Sequence, residues 1–222
     1  MVSFQEIHEK AAQNAGGQAE LDVRMPEVRP DTALEKIPAS EYFSAMSFRI
    51  FSTGLNQTMV RNKWPSFEEA FKGFEPHRVA FFSDEDIEGL MQNTKIIRHL
   101  GKIRATHHNA LALVDLEKEH GSVGKFLAAW PTSDCVGLWE DLKRRFKQLG
   151  GNSGPYFLRM MGKDGFILTN DVVTALNRLG IAEGKLASKR DRAKVQQAFN
   201  SWHDETSLSY ASLSRILAIW TG

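Results

Sequence analysis

Gly150-Gly151-Asn152-Ser153-Gly154 places three glycines in five residues, between two stretches that both favour helix. Before it, Leu138, Leu142, Phe146 and Leu149 recur at i, i+4, i+8 and i+11, one apolar face of a helix whose spacing runs to Gly150. After it, Pro155 suits the first turn of a new helix, where its missing N–H costs nothing. The chain must therefore reverse in a turn that tolerates positive φ and carries little side-chain bulk. Such a turn is expected to leave the backbone N–H groups of Gly151, Asn152, Ser153 and Gly154 uncovered. Uncovered N–H groups at a helix N-terminus bind phosphate oxygens without reading sequence. Taken alone, the loop reads more readily as an ordinary connection between two helices with no ligand.

The rest of the chain is patterned for helix. Ser3-Phe4-Gln5-Glu6 and Ser83-Asp84-Glu85-Asp86 fit capping boxes, and Gly16-Gly17 stops the first helix. Residues 18–38 carry Pro26, Pro30 and Pro38 and are expected to form an extended arm with one short helix from Asp31. Helix resumes over 40–63, with Gly54 a candidate break. Trp64-Pro65 interrupts the pattern, and Ser66 to Glu69 is expected to open the next helix. A long helix is expected from Ile96 to Glu119, with Gly101 a candidate break. Ser188 starts a basic helix, and the last helix runs from about Ser207 to Trp220. No useful stretch alternates as a strand does, so the expected class is all-α.

Asp171 lies 20 residues beyond Gly151 (171 − 151), where Thr169 or Asn170 can cap a further helix. In that first turn its carboxylate faces the positive end of the helix dipole, which favours the ionised form. An ionised carboxylate beside a sugar C1′ stabilises oxocarbenium character or orients a water to attack it. The commoner fate of a lone Asp there is to cap the helix, and that reading stands beside the catalytic one.

Composition narrows the function classes. A net charge of +1 excludes a strongly basic, histone-like mode of binding but leaves room for local basic patches. One cysteine, Cys135, forms no internal disulfide, which suits a cytoplasmic setting and excludes zinc sites built on two or more thiolates. No stretch approaches the roughly 20 apolar residues that span a bilayer, so no membrane partner is expected. His107-His108 point about 100° apart on a helix and do not readily share one ion. Lys102 follows the Gly101 break and is a candidate phosphate contact, as is the run Lys143-Arg144-Arg145-Lys147 that leads into the turn. Lys185 to Lys194 is a further basic run, with a solvated face as its plainer reading. A flat ligand would need an aromatic slot. Tyr42 and Phe51 are the candidates chosen, from a set that also holds Trp64, Trp139, Tyr156 and Trp202.

Several blocks resemble a known family. Ile96-Ile97-Arg98-His99-Leu100-Gly101-Lys102-Ile103 with Asn109-Ala110 is similar to the I-I-R-H-x-G-K-I…N-A of type I 3-methyladenine DNA glycosylases. Gly54-Leu55, the helix to Phe71 and the acidic run Asp84 to Glu88 stand at the right distance before it. Leu149 to Gly154 with Asn170-Asp171 resembles the hairpin and aspartate of the wider helix-hairpin-helix glycosylase superfamily. Tyr210-Ala211 and the closing Ile219-Trp220-Thr221-Gly222 resemble the final helix of its alkyladenine branch. The resemblance covers residues 40–222, taken as one glycosylase-like domain, with residues 1–39 set apart as an N-terminal extension.

The resemblance implies a two-lobed helical fold with a central cleft. It implies a monofunctional N-glycosidase, a hydrolase of base excision repair, that acts as a monomer on double-stranded DNA containing a damaged, alkylated base. The hairpin would grip phosphates, with a monovalent cation on its loop carbonyls and no zinc or other required cofactor. Asp171 falls on the catalytic aspartate, and Gly151, Asn152, Ser153 and Gly154 on the phosphate-binding turn, with Ser153 replacing a glycine. Gly154-Pro155 stands where bifunctional members carry a lyase lysine. Arg49 and Gln57 stand where the type I enzymes carry a base-reading glutamate and an aromatic. Base specificity is therefore not carried over, and a DNA-binding member without catalysis remains the alternative.

Overall fold

The structure is a computed structural model and describes residues 3–186 and 188–222. Among them the regular elements are helices, with no strand, as the patterning predicts. In chain order they are α1 (Phe4–Ala15), α2 (Gln18–Val23), α3 (Asp31–Leu34), α4 (Ala39–Ser52) and α5 (Gln57–Ala70). There follow α6 (Pro76–Ala80), α7 (Asp84–Gln92), α8 (Leu100–His120), α9 (Val123–Ala129) and α10 (Cys135–Arg145). The last four are α11 (Ser153–Met161), α12 (Asn170–Arg178), α13 (Lys189–Thr206) and α14 (Tyr210–Thr221). Short 3-10 turns cover Lys72–Phe74 and Thr132–Asp134.

The chain divides into two compact units. One gathers the chain up to Arg29, Pro131–Leu138 and Asp164–Gly222; the other holds Pro30–Trp130 and Trp139–Lys163. This division differs from the expected boundary after residue 39, since α1 packs along α14 and buries Phe4, Ile7 and Ala11. Asn14 Nδ2 donates to the Ile219 carbonyl at 3.1 Å across that contact.

Within this first unit, α1 opens on the expected capping box, Ser3 with Glu6, and stops where Gly16 takes φ 99°. Helix α2 was not expected from the sequence. Its six residues carry one fully buried anchor, Leu21, too little for a periodicity to show. Phe166 stacks on Phe199 with centroids 4.1 Å apart, both rings buried. Both oxygens of Asp164 accept backbone amides of α14, from Tyr210 at 3.2 Å and Ala211 at 2.9 Å, which satisfies two donors of that helix start.

The second unit is built around α8. His99 caps it, its Nδ1 accepting the Lys102 amide at 3.3 Å, so the helix starts at Leu100 rather than Ile96. Gly101 sits in the first turn and breaks nothing. Trp64-Pro65 breaks nothing either, since α5 runs through it. A proline there removes one helical hydrogen bond and costs about 3 kcal/mol. Aromatic packing offsets this: Trp64 stacks on Phe67 and Phe74 with centroids 5.0 and 5.2 Å away, and its indole N–H donates to Ser44 Oγ.

Helices α3 and α9 meet without a spacer. A Cβ on Gly124 would lie 2.4 Å from the Leu34 carbonyl oxygen and 2.8 Å from Glu35 Cα. Backbone atoms do not swing aside as a side chain would. Gly124→Ala is therefore expected to cost about 1–3 kcal/mol, read as a lower melting temperature by circular dichroism. Gly89→Ala is the control, because a Cβ there, inside α7, meets nothing within 4 Å; it should leave the melting temperature unchanged or raise it.

Candidate nucleic-acid interface

The glycine-rich turn lies in the second unit, between α10 and α11. Helix α10 ends at Arg145, short of the Gly150 that the apolar spacing suggests. Phe146 and Leu149 are buried all the same, as anchors in a loop, while Gln148 takes φ 62°. Gly151 takes φ 60° with open space around its Cα. Inside the turn the Ser153 amide donates to the Gly150 carbonyl and the Gly154 amide to the Leu149 carbonyl, both at 3.2 Å. A Cβ on Gly154 would stand 3.0 Å from that same Leu149 oxygen, a tight contact that favours glycine here.

This corrects the expected phosphate contacts. Ser153 and Gly154 are buried and their N–H groups are used within the turn. Asn152 is half-buried. The Gly150 and Gly151 N–H groups have no acceptor among the described residues, and Gly151 is exposed. The amides left without an acceptor thus begin one residue earlier than the sequence suggests. The Leu149 and Gly150 carbonyls each keep one lone pair beyond the bond they accept.

What holds the turn was not legible as function. Asn109 is fully buried on α8, and its carboxamide pairs with the backbone of Lys147: Oδ1 accepts the N–H at 2.7 Å and Nδ2 donates to the carbonyl at 3.1 Å. Gln148 Nε2 donates to the Gly101 carbonyl at 3.0 Å. Lys102, Thr106 and Asn109 recur at i, i+4 and i+7 on the buried face of α8, and polar residues at that spacing among apolar ones are the signal that marks Asn109.

Lys102 is not a phosphate contact. It is buried, and its ammonium donates to the carbonyls of Phe51 at 3.0 Å and Thr53 at 2.7 Å, closing the C-terminal end of α4. Desolvation by burial holds it below the ordinary lysine value. Of the basic run before the turn, Arg145 is engaged by Asp141 and Glu119, each at 2.8 Å, and Arg144 by Asp141. Exposed Lys143 stands 4.0 Å from Glu140, a pairing of little strength. The Lys147 ammonium has no acidic partner among the described residues and is exposed beside the turn.

Neither candidate for the base slot is accessible. Tyr42 is fully buried with its hydroxyl donating to the Leu34 carbonyl at 2.8 Å. Phe51 is fully buried against Phe67, 4.5 Å between centroids. Both are core residues, because the inward face of α4 is the face that packs. Gln57 is exposed at the start of α5. Arg49 on α4 is half-buried, and its guanidinium lies 4.5 Å over the ring of Tyr156 on α11. Desolvation by burial lowers the Arg49 value, and the Tyr156 phenol works against that shift.

Asp171 belongs to the first unit, in the first turn of α12. Thr169 Oγ1 accepts the Val172 amide at 3.3 Å, so the capping role is filled without Asp171. The Asp171 carboxylate is exposed and has no hydrogen-bond or ion partner among the described residues. Among the described residues no three His, Cys, Asp or Glu side chains gather as a metal site, and no helix is long and apolar enough to cross a membrane.

The family model for methyladenine glycosylase matches residues 35–148, about half of the chain. The chain belongs to the methyladenine glycosylase family. DNA-3-methyladenine glycosylase 1 of Escherichia coli is 40% identical over 65 residues, 29% of this chain and 35% of that protein. The Haemophilus influenzae DNA-3-methyladenine glycosylase aligns to the same extent. The aligned stretch thus spans about a third of the curated relatives. A crystal structure of 3-methyladenine DNA glycosylase I superposes with a TM-score of 0.52 at 28% identity, covering 65% of this chain and 86% of that one. The Methanocaldococcus jannaschii 8-oxoguanine glycosylase/lyase, crystallised with a 15mer containing 8-oxoguanine, reaches 0.55 at 15% identity over 96% of this chain and 94% of that one, a likeness of fold alone.

Replacing Lys102 tests its placement. Lys102→Met leaves two carbonyls without a donor and is expected to cost about 1–3 kcal/mol in denaturant unfolding. The slope of log affinity against log salt for duplex DNA should not change. A slope shallower by about one would restore the phosphate contact.

Proposed function

We propose that this methyladenine glycosylase family member excises a damaged purine from double-stranded DNA by hydrolysing its N-glycosidic bond. The observation that carries the proposal is the Asp171 carboxylate: exposed, unpartnered, and relieved of capping by Thr169. Backbone donors at Gly150 and Gly151, with Lys147 beside them, supply a phosphate grip that is indifferent to sequence. Holding the backbone lets the target nucleotide turn out of the stack, which a reaction at C1′ requires.

The chemistry follows from the charge. As the C1′–N bond lengthens, the electron pair leaves with the base and C1′ becomes cationic. A carboxylate at Asp171 stabilises that cation and orients a water for attack. The water oxygen bonds to C1′, one of its protons is released to the base or to solvent, and a free base and an abasic sugar result. Pro155 and the buried Gly154 offer no amine at the hairpin, so a lyase step is not part of the proposal. Nor is a metal or organic cofactor. A monovalent cation on the free lone pairs of the Leu149 and Gly150 carbonyls is part of it, as is action as a monomer.

Two variants test this. Asp171→Asn should lower excision at least about a hundredfold while duplex affinity stays as in the wild type, measured with a panel of damaged oligonucleotides cleaved at abasic sites by alkali. Unchanged excision would remove Asp171 from the mechanism. Gly151→Pro forbids the positive φ and deletes an outward N–H. It should weaken binding of undamaged duplex and reduce its salt slope by about one, with circular dichroism confirming the fold. A protein that binds DNA and releases no base from any duplex would be the DNA-binding alternative.

A further inference from the structure

A basic surface stands on the unit that carries Asp171. From Arg178 to Lys194 the sequence holds six cations and two acids, while the whole chain nets +1, so the rest of the chain is net negative. One of the two acids is already engaged. The Ser188 hydroxyl donates to the Asp191 carboxylate, and Ser188 Oγ accepts the Asp191 amide at 3.0 Å. Arg178, Lys185, Lys189, Arg190 and Lys194 are exposed, with no hydrogen-bond or ion partner among the described residues. Elsewhere helical cations meet acids three or four places away, as Lys118 meets Asp115 and Arg145 meets Asp141. Here those spacings repel: Arg190 and Lys194 lie at i, i+4, and Lys189 and Arg192 at i, i+3. Both pairs fall in the first two turns of α13, at the end of the helix where the dipole favours negative charge.

Crowded like charge of this kind is relieved by an outside anion, and most by a polyanion that sheds counterions as it binds. No large apolar side chain is exposed among the described residues of this stretch, so it lacks the apolar face with which a basic helix enters a lipid surface. Asp171 gives the unit a need for such a contact. Its exposed carboxylate repels a phosphate backbone, and the glycine-rich turn belongs to the other unit. The stretch also lies outside residues 35–148, which the family model matches. We propose that Arg178, Lys185, Lys189, Arg190 and Lys194 form a phosphate-binding edge for duplex DNA on the Asp171 unit. Along α12 the seven steps from Asp171 to Arg178 rise about 10 Å. One strand advances about 3.4 Å per nucleotide, so the edge meets phosphates about three nucleotides or more from the one beside Asp171. The excision reading underlies that distance, and the charge argument stands apart from it.

The test measures binding of undamaged duplex by fluorescence anisotropy across a salt series. It compares wild type with the triple variant Lys189→Gln, Arg190→Gln, Lys194→Gln. The slope of log affinity against log salt should be shallower by about two to three in the variant. The combination Lys10→Gln, Lys36→Gln, Lys118→Gln makes the same change of charge at exposed positions elsewhere and should leave the slope as it is. Removing the repelling pairs should leave the melting temperature of the first variant unchanged or raised, so lost binding is not lost fold. An unchanged slope in the first variant would overturn the proposal. An equal loss in the control combination would reduce the edge to a share of the overall field and overturn it too. Retention on phosphatidylserine vesicles, lost in the variant while duplex binding stays the same, would make this a lipid contact instead.

A second measurement places the edge along the duplex. A tetrahydrofuran abasic analogue is set either at the centre of the duplex or about two base pairs from one end or the other. With one of those two ends shortened, wild type should bind as weakly as the triple variant, and the variant should lose nothing further. A gap between the two proteins that survives both truncations would sink the placement. If wild type releases no base from any duplex while the salt slopes part as stated, the excision reading fails and the edge stands. Base release with identical slopes in wild type and variant means the reverse.

Discussion

The glycine-rich turn keeps its shape because of one buried carboxamide. Asn109 reaches from α8 and pairs with both the N–H and the carbonyl of Lys147. In a dry interior such a doubly satisfied amide is strong, and losing either half leaves a polar group with no water to turn to. The same helix holds the end of α4 through Lys102 and the Gln148 side chain through the Gly101 carbonyl. Polar side chains and backbone of α8 thus set the hairpin and the Arg49-bearing helix against one frame. Within the block that resembles the type I family, Ile96 to Ala110, Gly101, Lys102 and Asn109 serve this frame.

Much of the architecture was legible because it depends on local chemistry. Ser3, Ser83, Thr169 and Ser188 each cap a helix as their spacing predicts. The all-α class and the turn between two helices follow from the same kind of signal. Expectations failed where distant packing overrode local preference. Pro65 sits inside a helix because Trp64 and its aromatic neighbours hold that helix. The first 29 residues join a unit with the last 59 because α1 finds its apolar partner in α14, which no local pattern reveals.

The site was legible in part. The glycine-rich turn and an acid in the first turn of α12 stand where the sequence places them, but the turn uses the Ser153 and Gly154 amides for itself. A spacing cannot tell which amides a turn uses for itself. It also cannot tell a lysine that faces solvent from one, like Lys102, whose ammonium closes a helix end. Tyr42 and Phe51 were chosen by nearness to the Gly54-Leu55 pair, yet their side chains point into the core. Arg49, noted at first as a departure from the family pattern, proves to be the half-buried cation of that helix.

The internal bonds of the turn have a thermodynamic corollary. Gly154 packed on the Leu149 carbonyl, and Lys147 clamped by Asn109, mean that the loop is ordered before any polyanion arrives. The entropy of ordering is therefore lost in folding and not in association. A substitution that loosens the clamp would then mimic a lost contact, weakening any anion grip of the turn from a buried position.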